Sequence, residues 1–174
     1  ASIDSPSFSE LYEAKKTYTQ RTGQEVIDFS IGSSNIPPHD QVKEALAHAA
    51  KEDESYQYSL APTKEMIEAI QQWYAKRYNV QLDEDEIVTV KGSQEALSHI
   101  PLALCNEDDL VLIPDPYYPI YGVAPKLAGA SVYFMPLKEE NEYLIDFETI
   151  PEEIAKKAKL MYVSYPNNPT GKKA

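Results

Sequence analysis

The stretch LVLIPDPYYPIYGVAPKLAGASVYFM, residues 110–135, decides the fold. Its first four residues, Leu110 to Ile113, are apolar without alternation, so a strand built from them needs cover on both faces. Pro114 and Pro116 then interrupt the ladder and start a turn. YPIYGVAPKLA, residues 118–128, reads as a helix, and SVYFM, residues 131–135, as a second strand. Two strands joined by a helix are a parallel pair, because the crossover returns the chain to the same end of the sheet.

The same alternation continues in both directions. IVTV (87–90) and the helical SQEALSHI (93–100) precede this stretch, and the helical PEEIAKKA (151–158) and the strand LMYVSY (160–165) follow it. The pattern predicts an α/β fold, a mostly parallel, doubly wound sheet with helices on both faces. Ligands in such sheets gather at the carboxyl ends of the strands, so the loops after IVTV, LVLI and LMYVSY are the ones to inspect.

Nearer the N-terminus, residues 7–22 read as a helix ended by Gly23, with a short apolar stripe that suits an arm. EVIDFSIG (25–32) reads as a strand entering SSNIPPH, whose two prolines forbid helix until about Asp40. VKEALAHAAKE (42–52) is helical. Met66, Ile67, Ile70, Trp73, Tyr74 and Tyr78 recur at helical spacing, which predicts a helix with one face against a core.

Composition narrows the function. The 174 residues carry 28 acidic and 16 basic side chains, a net charge of −12. That charge repels nucleic-acid phosphates and anionic membrane surfaces. No apolar run approaches the roughly 20 residues of a membrane span, and ASIDSPSFSE lacks the pattern of a signal peptide, so a cytoplasmic protein is expected. Cys105, the single cysteine, lies in the apolar run IPLALC and reads as a small buried thiol. His39, His48 and His99 lack metal-ligand spacing. The acidic runs 52–54 and 83–86 lack the glycine and alternating oxygens of a calcium loop and read as solvated loops and helix starts.

Three loops carry chemistry. Lys91-Gly92-Ser93-Gln94-Glu95-Ala96 places a glycine and a hydroxyl at the mouth of a helix, where free N–H groups and the helix dipole suit a phosphate; Ser93 is equally readable as a plain N-cap. Asp115-Pro116-Tyr117-Tyr118-Pro119-Ile120-Tyr121 holds tyrosines between prolines, and such a flat phenol suits stacking on a planar ring or packing in a core. Tyr165-Pro166-Asn167-Asn168-Pro169-Thr170-Gly171 fixes an irregular backbone that displays asparagine amides.

In order and spacing, GSQEA, DPYYPIY and NNPTG resemble the fold-type I, class I/II aminotransferases. WYAKRYNVQLD, SHIPLAL and VLIPDPYYPIY are most similar to the LL-diaminopimelate aminotransferase branch. The resemblance covers nearly the whole chain. It implies pyridoxal 5'-phosphate as cofactor, with Ser93 and Gln94 on its phosphate, Tyr118 stacked on its ring and Asn168 donating to the ring hydroxyl oxygen. Gln94 stands where the branch usually has lysine. Gly32 is similar to the position whose backbone meets the substrate carboxylate. Tyr58 resembles the tyrosine that reaches the phosphate of a neighbouring subunit, which implies a homodimer.

The family places the Schiff-base lysine, the acidic partner of the ring nitrogen and the carboxylate-binding arginine downstream of NPTG. The chain is therefore read as a fragment without a catalytic lysine: residues 1–38 as N-terminal arm and small-domain segment, residues 39–174 as partial large domain. Its parent is expected to transfer amino groups between amino acids and 2-oxo acids. A pyridoxal-phosphate lyase of the same fold, or a noncatalytic binding module of this length, stays open as an alternative.

Overall fold

A computed structural model describes residues 8–29, 32 and 34–174, with the side chains of Phe8 and Ser9 left aside. The chain divides into two compact units, 6–89 and 90–174. The second holds the sheet: β1 (Leu110–Asp115), β2 (Ser131–Pro136) and β3 (Ala158–Met161), in the order β2-β1-β3 and all parallel. β1 pairs with β2 in unbroken register from Leu110–Ser131 to Asp115–Pro136, so Pro114, expected to interrupt the ladder, lies within the strand opposite Met135. Against β3 it runs from Leu110–Ala158 to Leu112–Met161 with an irregularity after Leu110. The Tyr162 amide, bonded to the Leu112 carbonyl at 2.9 Å, carries that pairing one step further.

β1 is central, and its uninterrupted apolar run has the expected cause. Val111 and Ile113 point to one face and pack with Cys105, Tyr121, Ala130 and Tyr162. Leu110 and Leu112 point to the other, with Met135, Leu137 and Ile145. Helices α4 (Ser93–Leu104) and α5 (Ile120–Leu127) contribute Leu97 and Ile120 to the first layer. Ile154 of α6 (Glu152–Lys157) and Ile150 cover the second. The sheet is therefore wound on both sides. Each of the four β1 side chains buried this way contributes about 1.5–3 kcal/mol relative to exposure.

The chain leaves β1 through α5 toward β2, then returns through α6 to β3 on the opposite side of β1. The direction of winding thus reverses between β1 and β3. Loops from the carboxyl ends of such neighbours diverge and leave a crevice, the usual ligand position in an open α/β sheet.

The unit 6–89 contains α1 (Phe8–Thr22), α2 (Asp40–Ala49) and α3 (Lys64–Tyr78). Gly23 follows α1 at φ +68°. Thr63 caps α3 by accepting from the Met66 amide at 3.3 Å, and Asn79 ends it in the left-handed region. The acidic run 83–86 is a short 3-10 turn in which Glu86 accepts from the Asp83 amide at 2.9 Å.

Several expectations fail here. IVTV forms no strand: Ile87 is extended, yet no ladder partner exists among the described residues, and Val88 is 83% exposed. β-branched residues favour extended backbone, but a strand also needs a neighbour to pair with. Residues 24–29 likewise form no strand. Gly32, where that strand was expected to end, is in none either, while Ser30 and Ile31 within it, and Ser7 at the start of the first helix, lie outside the described residues. The apolar stripe of α3 did predict a helix, yet only Ile67 of it is buried, and Met66, Trp73, Tyr74 and Tyr78 stay exposed. Periodicity reports the helix, whose backbone bonds are internal, and says nothing of what covers its face.

Candidate functional site

α4 begins at Ser93, and its N-cap is Gly92, at φ +95°. Glycine takes that backbone conformation at no steric cost, and without a side chain it offers the first turn no capping acceptor. Ser93 is therefore the first helical residue and not the cap. Ser93 and Gln94 are exposed, while Glu95 folds back to accept from the Lys91 amide at 2.5 Å. A helix start with uncapped N–H groups and a free hydroxyl is a place for an anion.

Tyr118, half-buried in the loop after β1, donates its hydroxyl to Gln94 Oε1 at 3.2 Å. Its ring meets Tyr121 edge-on at 5.9 Å and 73°. Tyr121 in turn stacks on Tyr162 at 4.6 Å and 16°. The Tyr162 hydroxyl donates to the Leu97 carbonyl at 3.0 Å, back in α4. That carbonyl lies four residues before Pro101, which has no N–H to offer it. The proline opens a backbone acceptor and the phenol fills it. Burial pushes the Tyr162 phenol up to about 12, with the neighbouring Cys105 thiol and Tyr121 phenol adding to the effect. Tyr117 packs against the same cluster, meets Phe134 at 5.8 Å, and lies over Gly122, where a Cβ would stand 2.7 Å from the ring.

The turn after β3 is held from several sides. Tyr165 Oη accepts from the Ile145 amide at 2.8 Å. The Asn167 amide donates to the Lys172 carbonyl at 2.9 Å, and its own carbonyl accepts from Gly171 at 2.7 Å. The Asn168–Pro169 peptide is cis, and Asn168 is exposed. Just past the turn, Lys172 pairs with Glu142. The ammonium holds the Glu142 carboxyl below its ordinary range through a hydrogen bond and charge.

Ser93, Gln94, Tyr118 and Asn168 thus share one unit, at the carboxyl edge of the sheet, and a bond joins Tyr118 to Gln94. Gly32 and Tyr58 belong to the other unit and are both exposed, Tyr58 at 90%. Sequence reading missed Tyr162 and Asn167. A proline inside a helix pattern is the one available signal for the first, since it announces an unpaired carbonyl.

The fold and these loops define an open α/β protein with its ligand edge at a switch point beside a helix N-terminus. The sequence pattern of the aminotransferase class I and II family matches residues 24–174, and the chain belongs to that family. It is 42% identical over 165 residues to the LL-diaminopimelate aminotransferase of Aquifex aeolicus, and 40% identical over 166 residues to that of Syntrophobacter fumaroxidans. Each alignment covers 94% of this chain and 42% of the relative, so the chain spans less than half the length of these proteins. Among solved structures it is similar to apo-BacF from Bacillus subtilis, at TM-score 0.89 and 34% identity over 99% of this chain and 45% of that one. A probable N-succinyldiaminopimelate aminotransferase from Thermus thermophilus gives TM-score 0.87 and 37% identity over 99% and 46%.

Proposed function

We infer that this chain supplies the phosphate-holding and ring-facing side of a pyridoxal-phosphate site in an enzyme that moves amino groups between amino acids and 2-oxo acids. The observation that carries the reading is the Tyr118–Gln94 hydrogen bond, which sets a flat phenol beside an uncapped helix start. A phosphorylated planar ring matches that pair: one end is an anion and the other a face to stack. In this reading Ser93 and Gln94 hold the phosphate, Tyr118 covers the ring, and the exposed Asn168 amide donates to the ring oxygen. The cofactor would supply an electron sink for electrons released at the amino-bearing carbon.

The groups in this chain bind and orient. The lysine that moves the proton, the acid at the ring nitrogen and the carboxylate-binding arginine are assigned to the portion of the relatives beyond this chain. Gly32 is assigned to the substrate carboxylate. Tyr58 is assigned to the phosphate of a partner subunit in a cytoplasmic homodimer, a claim that light scattering showing only monomer would defeat. Residues 1–38 are assigned to the arm and small domain, and 39–174 to the large domain.

The test uses the protein as its reading frame encodes it. Pyridoxal phosphate should bind, and Tyr118→Ala should weaken binding by roughly 2- to 12-fold, the loss of one stacked ring contact. A panel of amino acids, diaminopimelate included, with 2-oxoglutarate then identifies the donor. Absence of binding, or Tyr118→Ala binding as tightly as the parent, refutes the assignment. The 174-residue chain alone is expected to show no turnover, and a single stoichiometric borohydride-trapped adduct with catalysis would overturn that.

A further inference from the structure

Asn167 is a polar side chain enclosed to 3% exposure. Its Nδ2 donates to Thr170 Oγ1 at 3.0 Å and reaches the Pro116 carbonyl at 3.5 Å. Its Oδ1 is buried and has no partner among the described residues. The opposite amide orientation would set that oxygen against the Pro116 carbonyl oxygen, so the donor contact dictates the orientation even though it leaves Oδ1 unpaired.

The location gives the contact its meaning. Pro116 lies two residues before Tyr118, and Asn168 directly follows Asn167. The two loops leave β1 and β3, whose pairing ends with Leu112–Met161 and the Tyr162 amide. Beyond that point no ladder hydrogen bond joins the two chains among the described residues. Among the described residues, the Asn167 amide is the hydrogen bond that joins loop 114–121 to turn 165–171.

We propose that Asn167 is a positioning residue: without touching the ligand, it sets the spacing between Tyr118 and Asn168 by tying the Pro116 carbonyl to the turn. This rests on reading those two residues as the pair that holds the pyridine ring. The phosphate end, at Ser93 and Gln94, belongs to α4, whose N–H groups do not depend on the tie, and Tyr118 reaches it through the Gln94 hydrogen bond alone. Loss of the tie should therefore loosen the ring and spare the phosphate.

Asn167→Asp keeps the volume and all backbone bonds of the turn while replacing the donor facing Pro116 with an acceptor. Asn167→Ala serves as the second variant. The probes, used on the protein as its reading frame encodes it, are inorganic phosphate and pyridoxine 5'-phosphate, which has the ring but no aldehyde to react with a lysine. Calorimetry gives both affinities, circular dichroism of the bound pyridine band reports how firmly the ring is held, and a melting curve reports stability. Asn167→Asp should lower pyridoxine-phosphate affinity by about tenfold and collapse the ring signal, with phosphate affinity unchanged. If both affinities fall together with the melting temperature, Asn167 is only structural and the proposal is overturned. Unchanged ring affinity and signal in both variants overturns it as well. A parent protein that binds neither probe sinks the cofactor reading itself, and the proposal with it.

Discussion

Replacing Tyr162 with phenylalanine keeps the ring stacked on Tyr121 and removes only the hydroxyl that serves the Leu97 carbonyl. In an ordinary helix that carbonyl would fall back on the amide four residues later. Here that residue is Pro101, so the acceptor stays unpaired beneath a ring that is 7% exposed. Leaving a buried acceptor unsatisfied costs about 1–3 kcal/mol. Leu97 is only half-buried, which favours the lower half, about 1–2 kcal/mol. Pro101→Ala restores an N–H, and the Leu97 carbonyl regains a helical partner. Its own effect mixes this gain with the loss of a fully buried ring, but the coupling between the two sites has a definite sign. In the Pro101→Ala background, Tyr162→Phe should cost less than about 0.5 kcal/mol, a coupling near 1 kcal/mol. Equilibrium urea unfolding of the four proteins, followed by far-ultraviolet dichroism and tyrosine fluorescence, measures it. Equal cost of Tyr162→Phe in both backgrounds refutes the idea that the proline creates the acceptor the phenol satisfies.

Three further outcomes follow from the same geometry. Gly122→Ala should destabilise the fold by about 1–3 kcal/mol in denaturant, because its methyl would press on the Tyr117 ring; a neutral result would mean that the ring swings away freely. Because Tyr162 titrates near 12 in the folded protein against an ordinary 10, the unfolded chain loses that proton first as pH rises. Stability is therefore intact below about 10 and declines toward 12, and Tyr162→Phe should flatten the decline in alkaline unfolding curves. Lys172→Met should let the Glu142 carboxyl rise back to its ordinary range in a carbon-detected titration; an unmoved midpoint would break the assigned pair.

Much of the sheet was legible because its signals are local. LVLI is apolar on both faces since β1 is central, and the helices around it follow from spacing and from Gly or Pro at their ends. IVTV and residues 24–29 misled for one reason: their side chains suit extended backbone, but pairing is a property of two segments, and only one is visible in a local reading. The loops at the strand ends stood out through glycines, prolines and tyrosines of unusual density. The side chains that join those loops did not. Asn167 looked no different from Asn168 in the turn, and only coordinates reveal that one is enclosed and the other displayed. The Lys172–Glu142 pair was equally illegible, since 30 positions separate the two residues.

The strand order also has a consequence in time. β1 and β2 are contiguous in the chain with α5 between them, whereas β1 meets β3 only across a separation of about 50 residues, Leu112 against Met161. A ribosome adding roughly 5–20 residues per second would deliver the Ser93 helix and the Tyr118 loop several seconds before the Asn168 turn emerges. During that interval the nascent chain would present the exposed helix start at Ser93 and the Tyr118 loop, with one side of the crevice not yet made.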